Sequence, residues 1–159
     1  MKTWGNGAIA CFRLSPQDYH RYHSPVTGTV TWFKSLGGDY YGVDPLAVSS
    51  SLDVLAKNDR TCIEITTEAF GRVLFIAIGA EDVGKIKFND SFKKQGTRIE
   101  KGDEIGIFEF GGSSIIMVFE SGRIKWDDDL ISWSQRKIMV DVEVGMRIGT
   151  ATATVGDRK

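Results

Sequence analysis

The sequence predicts a mainly β protein, a β-rich α+β fold with a sandwich-like or barrel-sandwich-like core and short helical insertions. Three observations predict it. Runs rich in β-branched and aromatic residues dominate the chain, turn signals rich in glycine, asparagine and aspartate separate them, and convincing helical periodicity is scarce. The 159 residues fit one domain, residues 1–159.

The strand-like runs come in a regular series along the chain, and several alternate apolar and polar residues, as a strand with one solvated face does. They are Ala8–Arg13, Gly28–Lys34, Thr61–Thr67, Arg72–Ala80, Val83–Phe88, Glu104–Phe110, Ile115–Glu120 and Ile138–Val144. Helical turns are expected only around Pro16–Tyr22 and near Pro45–Leu55. The acidic run 127–129 is expected to form a turn or a helix cap, because it lacks the spaced oxygen ligands of a calcium loop.

A weak internal repeat connects two of the turns. Glu100–Gly106 and Glu143–Gly149 share the pattern Gly-x-x-Ile-Gly. In each copy we expect the first glycine in a tight turn with positive φ and the isoleucine at the start of an inward-facing strand. Such paired turns are similar to those of the biotinyl/lipoyl-type β-sandwich. The carrier function of that fold is not expected, because neither copy joins a lysine displayed at a hairpin tip.

Composition and charge exclude several classes of function. The net charge of −1 argues against a nucleic-acid partner held by bulk charge and gives no support to a basic lipid-binding surface. No apolar run approaches the roughly 18 residues of a membrane span, and the amino terminus lacks the apolar region of a signal peptide. Cys11 and Cys62 lie far apart in apolar runs, so we expect buried free thiols and no disulfide framework.

The only two histidines, His20 and His23, stand three residues apart, which would put them on one face of a helix. A zinc site would need a third and a fourth ligand, and no other histidine exists, so no metal site is expected. Two interpretations stay open. The histidines are structural residues of a polar turn, or they form a proton-transfer pair, because imidazole titrates near neutral pH.

A Gly-Gly-Ser-Ser interruption at 111–114 divides two apolar runs that would otherwise form one strand. Glycine weakens a strand but permits strained backbone. The Ser113 hydroxyl could therefore attack the Gly112 carbonyl and form an ester. A base that removes the α-proton of Ser113 would then eliminate the ester and leave dehydroalanine, which tautomerises and hydrolyses to a pyruvoyl group. An ordinary Gly-Ser turn is the alternative.

Four stretches resemble, in order and spacing, the motifs of the phosphatidylserine decarboxylase family. They are FRLSPQDYHRYHSPVTG (Phe12–Gly28), YYGVDPLAV (Tyr40–Val48), FGRVLFIAIGAEDVGKI (Phe70–Ile86) and KGDEIGIFEFGGSS (Lys101–Ser114). The resemblance runs from about Gly7 to Gly149. This chain has Thr27 where many relatives carry Asp or Asn, and Lys85 where serine is usual.

The resemblance implies a carboxy-lyase made as a zymogen, cut between Gly112 and Ser113 into a β chain (1–112) and an α chain (113–159). Ser113 would become the covalent pyruvoyl cofactor, which forms a Schiff base with phosphatidylserine and releases CO2 and phosphatidylethanolamine in phospholipid biosynthesis. His23 matches the family histidine that acts as base in self-cleavage. His20 matches the histidine of substrate handling and decarboxylation.

The resemblance also implies an upstream portion, because the family's aspartate that orients the base histidine precedes this chain's first motif. The alternatives are a pyruvoyl-dependent decarboxylase of a free aromatic amino acid, and a truncated paralogue that is not processed. Contact with a membrane surface is expected from a diacyl substrate, and a homodimer is compatible with the family. The apolar pairs Trp32-Phe33 and Tyr40-Tyr41 are candidate surfaces for that contact, although we expect them to belong to the core.

Overall fold

The computed structural model of the chain describes residues 4–81, 86–109 and 113–152. Gly111 and Gly112, the end of the predicted strand at Phe110, and the segment 82–85 with Lys85 lie outside these ranges. The order of elements is as follows: β1 Ala8–Leu14, β2 Arg21–His23, β3 Gly28–Ser35, α1 Pro45–Val48, α2 Val54–Lys57, β4 Arg60–Thr67, β5 Gly71–Ile78, β6 Ile86–Phe88, a 3-10 turn Asp90–Lys93, β7 Arg98–Ile99, β8 Glu104–Phe108, β9 Ser113–Phe119, β10 Ile124–Trp126, α3 Asp128–Gln135 and β11 Gly149–Ala151.

An antiparallel six-stranded sheet forms the larger layer, in the order β1-β9-β5-β4-β3-β7. Its register aligns Met117, Phe75 and Ile63 in one row across β9, β5 and β4, and all three are buried. Because side chains alternate between the faces of a strand, this row marks the face of the sheet that covers the core.

A three-stranded sheet, in the order β2-β8-β6, forms the second layer. Each of its strands contributes an aromatic ring to the core: Tyr22, Phe108 and Phe88. The Tyr22 ring lies 4.8 Å from that of Phe108, 5.2 Å from that of Phe88 and 5.7 Å, across the layers, from that of Phe75 on β5. These tilted aromatic pairs join two sheets into the predicted sandwich-like core.

Strand predictions from β-branched and aromatic runs are confirmed for the central strands, and the run Ile138–Val144 is wrong. That segment forms no strand, and its side chains are exposed. An isolated alternating run has no hydrogen-bond ladder of its own, and no described strand lies beside it to supply one. The sequence analysis does not predict the short strands Arg98–Ile99, Ile124–Trp126 and Gly149–Ala151, because two or three residues are too few for a periodic pattern.

The helical turn predicted around Pro16–Tyr22 is wrong beyond the turn at its start. The Asp18 carboxylate accepts a hydrogen bond from the Ser15 backbone amide at 2.6 Å, which closes a turn, and Arg21–His23 then pairs with β8 as a strand. Local side-chain bonds of aspartate compete with helix formation in this way. Near Pro45–Leu55 the helical prediction is confirmed as the two single turns α1 and α2.

Aspartates cap the short helices. Asp44 accepts hydrogen bonds from two backbone amides at the start of α1, and Pro45 occupies its first turn. Asp127 is the N-cap residue of α3, with Asp128 and Asp129 in the first turn, where a carboxylate interacts favourably with the positive end of the helix dipole. The prediction of a helix cap at 127–129 is therefore confirmed.

The internal repeat is a structural repeat. Gly102 has φ +95° and Gly145 has φ +94°. In each turn the backbone amide of the residue after the glycine donates a 3.0 Å hydrogen bond to the carbonyl of the glutamate two positions before the glycine. Ile105 follows the first turn and is fully buried, while Ile148 follows the second and packs against the core. Positive φ explains why both turns use glycine.

Three aromatic residues expected in the core lie at the surface: Trp32, Tyr40 and Tyr41. Phe33 does pack against the core. The two cysteines are free, as expected, but only Cys62 is buried, and burial raises the pKa of its thiol. Cys11 is exposed because it lies on the outer face of the edge strand β1, opposite Ile116.

Gly106 is the position where β8 passes closest to its neighbours. A Cβ placed there would overlap the Lys87 backbone oxygen and lie 2.6 Å from Cε2 of Tyr22. We expect Gly106→Ala to lower the free energy of unfolding by about 2–3 kcal/mol, because the overlap with backbone requires the sheet to shift. Urea unfolding measures the loss. Gly42→Ala is the matched control, since its nearest contact would be 3.4 Å; an equal loss in both variants contradicts the packing explanation.

Candidate functional site

Ser113 is the first residue of β9 and lies opposite Leu14 of β1. It is 0% exposed, and its hydroxyl oxygen has no hydrogen-bond partner among the residues that the structure describes. A buried hydroxyl without a partner costs about 1–3 kcal/mol. Such a group is therefore expected where function, rather than stability, selects the residue.

His20 stands just before β2, beside the end of β8. Its carbonyl accepts a hydrogen bond from the Phe108 amide at 3.0 Å, and its ring meets the Phe108 ring edge-on at 6.5 Å. Nδ1 of His20 lies 2.6 Å from the carbonyl oxygen of Asp18. A carbonyl only accepts, so Nδ1 carries the proton and the neutral ring has its lone pair on Nε2. Nε2 is buried and has no partner within the described part of the chain.

His23 ends β2, opposite Glu104 at the start of β8. Both of its ring nitrogens have partners. Nδ1 lies 2.8 Å from the Gly102 carbonyl oxygen, and Nε2 lies 2.8 Å from the Tyr19 hydroxyl. His23 and His20 therefore contact different groups, and the shared helical face expected for them is wrong because this stretch is a turn and a strand.

The structure brings one of the two histidines to the end of β8 that precedes Ser113 in the chain. That histidine is His20, through its contacts with Phe108; His23 lies at the opposite end of the strand. Across the described residues, no hydrogen bond joins Ser113 to either ring. Gly112 lies outside the described residues, so the geometry of the predicted cut is not among them.

Tyr22 anchors the strand that carries the two histidines. Its hydroxyl donates to the Lys87 backbone oxygen at 2.8 Å, and burial raises the pKa of the phenol, so it stays a neutral donor. At the surface, Arg21 pairs with Glu104 at 3.0 Å across β2 and β8. The strand is therefore held from both of its faces.

A cavity of about 1070 Å³ opens beside His23. Aromatic and aliphatic side chains of the six-stranded sheet line much of it, and the second repeat turn forms part of its wall. Its lining includes Phe12, Leu14, Tyr19, Tyr22, Phe75, Ile115, Met117, Phe119, Val144 and Ile148, together with the basic residues Arg21, Arg98, Lys101 and Arg147. The acidic residues Glu68 and Glu143 line it as well, whereas Ser113 and His20 are not among its lining residues. A largely apolar lining of this kind suits a ligand with apolar chains.

Within the described ranges, no cluster of three or more His, Cys, Asp or Glu side chains could hold a metal ion. None of the described helices is long and apolar enough to cross a membrane.

Sequence reasoning missed two groups of the site, Tyr19 and the Gly102 carbonyl. The repeat had marked Gly102 as a turn glycine, but its carbonyl is exposed to His23 only through the tertiary pairing of β2 with β8. Tyr19 stands four residues before His23, a spacing that suggested crowding but no specific bond.

Comparison with known proteins adds a consistent set of relatives. The family model described as phosphatidylserine decarboxylase matches residues 1–150. A phosphatidylserine decarboxylase proenzyme 2 of Komagataella phaffii is 47% identical over 142 residues, 89% of this chain and 14% of the relative. The proenzyme 2 of Oryza sativa subsp. japonica is 47% identical over 148 residues, 92% of this chain and 23% of the relative.

A bacterial relative is similar over the same region. The phosphatidylserine decarboxylase proenzyme of Clostridium botulinum is 39% identical over 148 residues, 93% of this chain and 49% of the relative. The chain thus spans about half the length of this relative and less than a quarter of the other two.

Proposed function

Because this chain belongs to the phosphatidylserine decarboxylase family, we propose that it is the part of a pyruvoyl-dependent decarboxylase in which self-cleavage and decarboxylation take place. The observation that carries the proposal is the Ser113 hydroxyl, fully buried and without a hydrogen-bond partner among the described residues. The names of the relatives, which are proenzymes, support a chain that is processed.

The proposed processing starts with attack of Ser113 Oγ on the carbonyl carbon of Gly112. The Gly112–Ser113 amide bond breaks as the ester bond forms, and the proton of the hydroxyl passes to the amine. A base then takes the α-proton of residue 113, and the ester leaves as the Gly112 carboxylate. The dehydroalanine that remains tautomerises to an imine, and water hydrolyses it to the pyruvoyl group with release of ammonia. The products are residues 1–112 and 113–159.

The surroundings of Ser113 fit a group formed in place. Residue 113 begins a central strand between β1 and β5, so a carbonyl there would be rigidly held. When formed, the pyruvoyl carbonyl supplies an electron sink for the bond to the leaving carboxylate. No metal needs to take part in this chemistry.

We assign different roles to the two histidines. His23 is proposed as the base of self-cleavage because it matches the family histidine with that role, and its proton on Nδ1 leaves a lone pair on Nε2. His20, whose buried Nε2 lone pair meets no described donor, is proposed to handle protons at the substrate. Each histidine has a neutral tautomer selected by a backbone carbonyl, so each is ready to accept a proton.

Phosphatidylserine is the proposed substrate, and its product is phosphatidylethanolamine. The largely apolar cavity beside His23, whose lining carries both basic and acidic side chains, supports a substrate with acyl chains. A free aromatic amino acid would leave most of that volume unfilled. Contact with a membrane surface follows from the substrate, since a diacyl lipid resides in the bilayer.

Release of labelled CO2 tests the proposed function. Processed protein is incubated with carboxyl-labelled phosphatidylserine in mixed vesicles and, separately, with carboxyl-labelled tryptophan. We expect label from the lipid alone. A His20→Gln chain is the control, and it should be cleaved but release at most about a hundredth of the label, as expected for loss of general acid-base help. Release from tryptophan only, or from neither, overturns the proposed substrate.

A further inference from the structure

We propose that Tyr19 and the backbone carbonyl of Gly102 are positioning groups of His23, which hold its ring and place the proton on Nδ1. The proposal rests on the role of His23 as base in the proposed function, but its geometric content can be measured without any activity. Both groups contact the His23 ring and would act through it.

The Gly102 carbonyl determines the tautomer. Its oxygen lies 2.8 Å from Nδ1 of His23 and can only accept, so Nδ1 must donate in the neutral ring and in the protonated ring alike. The lone pair of the neutral ring then lies on Nε2. An orienting carboxylate would perform the same selection and add a negative charge. The carbonyl contributes the same selection through its partial charge.

The turn that presents this carbonyl is fixed on several sides. Gly102 has φ +95° and donates its amide to the Ser24 carbonyl at 2.9 Å, and Ser24 returns a 2.8 Å bond to the Asp103 carbonyl. The Lys101 amide donates to Oγ1 of Thr27 at 2.9 Å. These bonds tie the turn to the residues that directly follow His23, so the carbonyl and the imidazole move together.

Tyr19 holds the other side of the ring. Its hydroxyl lies 2.8 Å from Nε2 of His23, and the two rings stack with centroids 5.8 Å apart and planes inclined by 14°. Because Nδ1 carries the proton, the phenol is the donor in this bond. Tyr19 is 53% exposed, so burial does not account for its position, whereas the bond and the stack do.

One of the bonds that fix the turn depends on a side chain, the hydroxyl of Thr27. The family resemblance marks this position as one where many relatives carry Asp or Asn, which are also acceptors. In this chain Oγ1 of Thr27 accepts from the Lys101 amide. Thr27→Val removes the acceptor and preserves the shape, while Thr27→Ser preserves the acceptor, so the pair separates hydrogen bonding from packing.

Nitrogen NMR of the imidazoles tests the proposal directly. The chain has two histidines, so ring labelling with ¹⁵N gives four signals. The measurement uses the full-length Ser113→Ala chain, which stays uncleaved, at a pH well above that at which an ordinary imidazole is protonated. The spectrum of a His20→Gln variant assigns the signals. We expect His23 with a protonated Nδ1 and an unprotonated Nε2. A protonated Nε2 with a bare Nδ1 overturns the proposal.

Tyr19→Phe then separates the positioning role from a structural one. We expect the Nε2 signal of His23 to move toward that of a free lone pair, while the signals of His20 stay in place. Thr27→Val should instead move the Nδ1 signal, and Thr27→Ser should not. An unchanged His23 spectrum in Tyr19→Phe overturns the role of Tyr19. The spectrum of the Ser113→Ala chain without a further substitution decides the tautomer even if one of the variants fails to fold.

Kinetics give a second readout. In the chain with Ser113 restored, Tyr19→Phe should slow self-cleavage about threefold to tenfold, as loss of one hydrogen bond predicts. Tyr41→Phe is the matched control, an exposed tyrosine outside the site, and should cleave at the unsubstituted rate. Cleavage at an unchanged rate in Tyr19→Phe contradicts positioning. Failure of all chains to cleave overturns the proposed function and leaves the tautomer measurement valid.

Discussion

A chain with Ser113→Ala is expected to remain a single species of 159 residues, whereas the unsubstituted chain separates into residues 1–112 and 113–159. Alanine has no hydroxyl to attack the preceding carbonyl, so the first step of the proposed processing cannot occur. Mass spectrometry of purified protein after long incubation measures the effect, which should be a complete loss of cleavage.

Ser114→Ala is the control for this result. Ser114 lies next to Ser113 in β9 and is also buried, at 2% exposed, but it is not the residue that attacks in the proposed step. We expect Ser114→Ala to be cleaved. Fragments from Ser113→Ala, or an unsubstituted chain that stays intact, would contradict self-cleavage at this position.

Ser113→Ala should also stabilise the protein. In the described structure the Ser113 hydroxyl is buried without a partner, so its removal gives up no described bond and relieves a desolvation cost. We expect Ser113→Ala to raise the free energy of unfolding by about 1 kcal/mol relative to an uncleaved Ser113 chain. A clear loss of stability would show that the hydroxyl has a structural role and would weaken its assignment as nucleophile.

Asn58→Ala is expected to cause the largest loss of stability among these substitutions, about 2–5 kcal/mol. Asn58 is 0% exposed and follows α2 just before β4. Its Oδ1 accepts from the Tyr41 amide at 2.9 Å, and its Nδ2 donates to the carbonyls of Tyr41 and Gly79 at 2.8 and 2.9 Å. Alanine would leave these backbone groups without their partner.

Thermal and urea unfolding measure this loss. For a protein of this size, about 3 kcal/mol corresponds to a fall in Tm of roughly 6–12 °C. Asn89→Ala is the control, because Asn89 is exposed and donates one side-chain bond, to the Glu104 carbonyl at 2.6 Å. Equal losses in both variants would contradict the special role of the buried amide of Asn58.

Several elements of the fold could be predicted from local residues. The strands β4, β5 and β9 are confirmed because long runs of β-branched and aromatic residues fit a pleated surface in many contexts. The two glycine turns at Gly102 and Gly145 are confirmed because positive φ is a demand of the backbone itself. The predictions for Pro16–Tyr22 and Ile138–Val144 failed because each depended on a neighbour: the first pairs with β8, and the second has no strand beside it in the described part.

The candidate site shows the same division. Sequence order alone pointed to Ser113, His20 and His23, and their roles remain predictions to be tested. It could not show that His20 contacts Phe108, or that the carbonyl of Gly102 meets His23, because Gly102 is 79 residues away from that histidine. A carbonyl has no residue-type signature, so no motif could have revealed it as a partner.

The sequence by itself determined the family, the β-rich class and the residue types of the proposed chemistry. These depend on composition, local pattern and motif order, which are present in the chain before it folds. Only the tertiary structure decided that the Ser113 hydroxyl is buried without a described partner and that the two histidines have separate surroundings. The physical reason is that burial and ring tautomer are set by neighbours from distant strands, which the antiparallel pairing brings together.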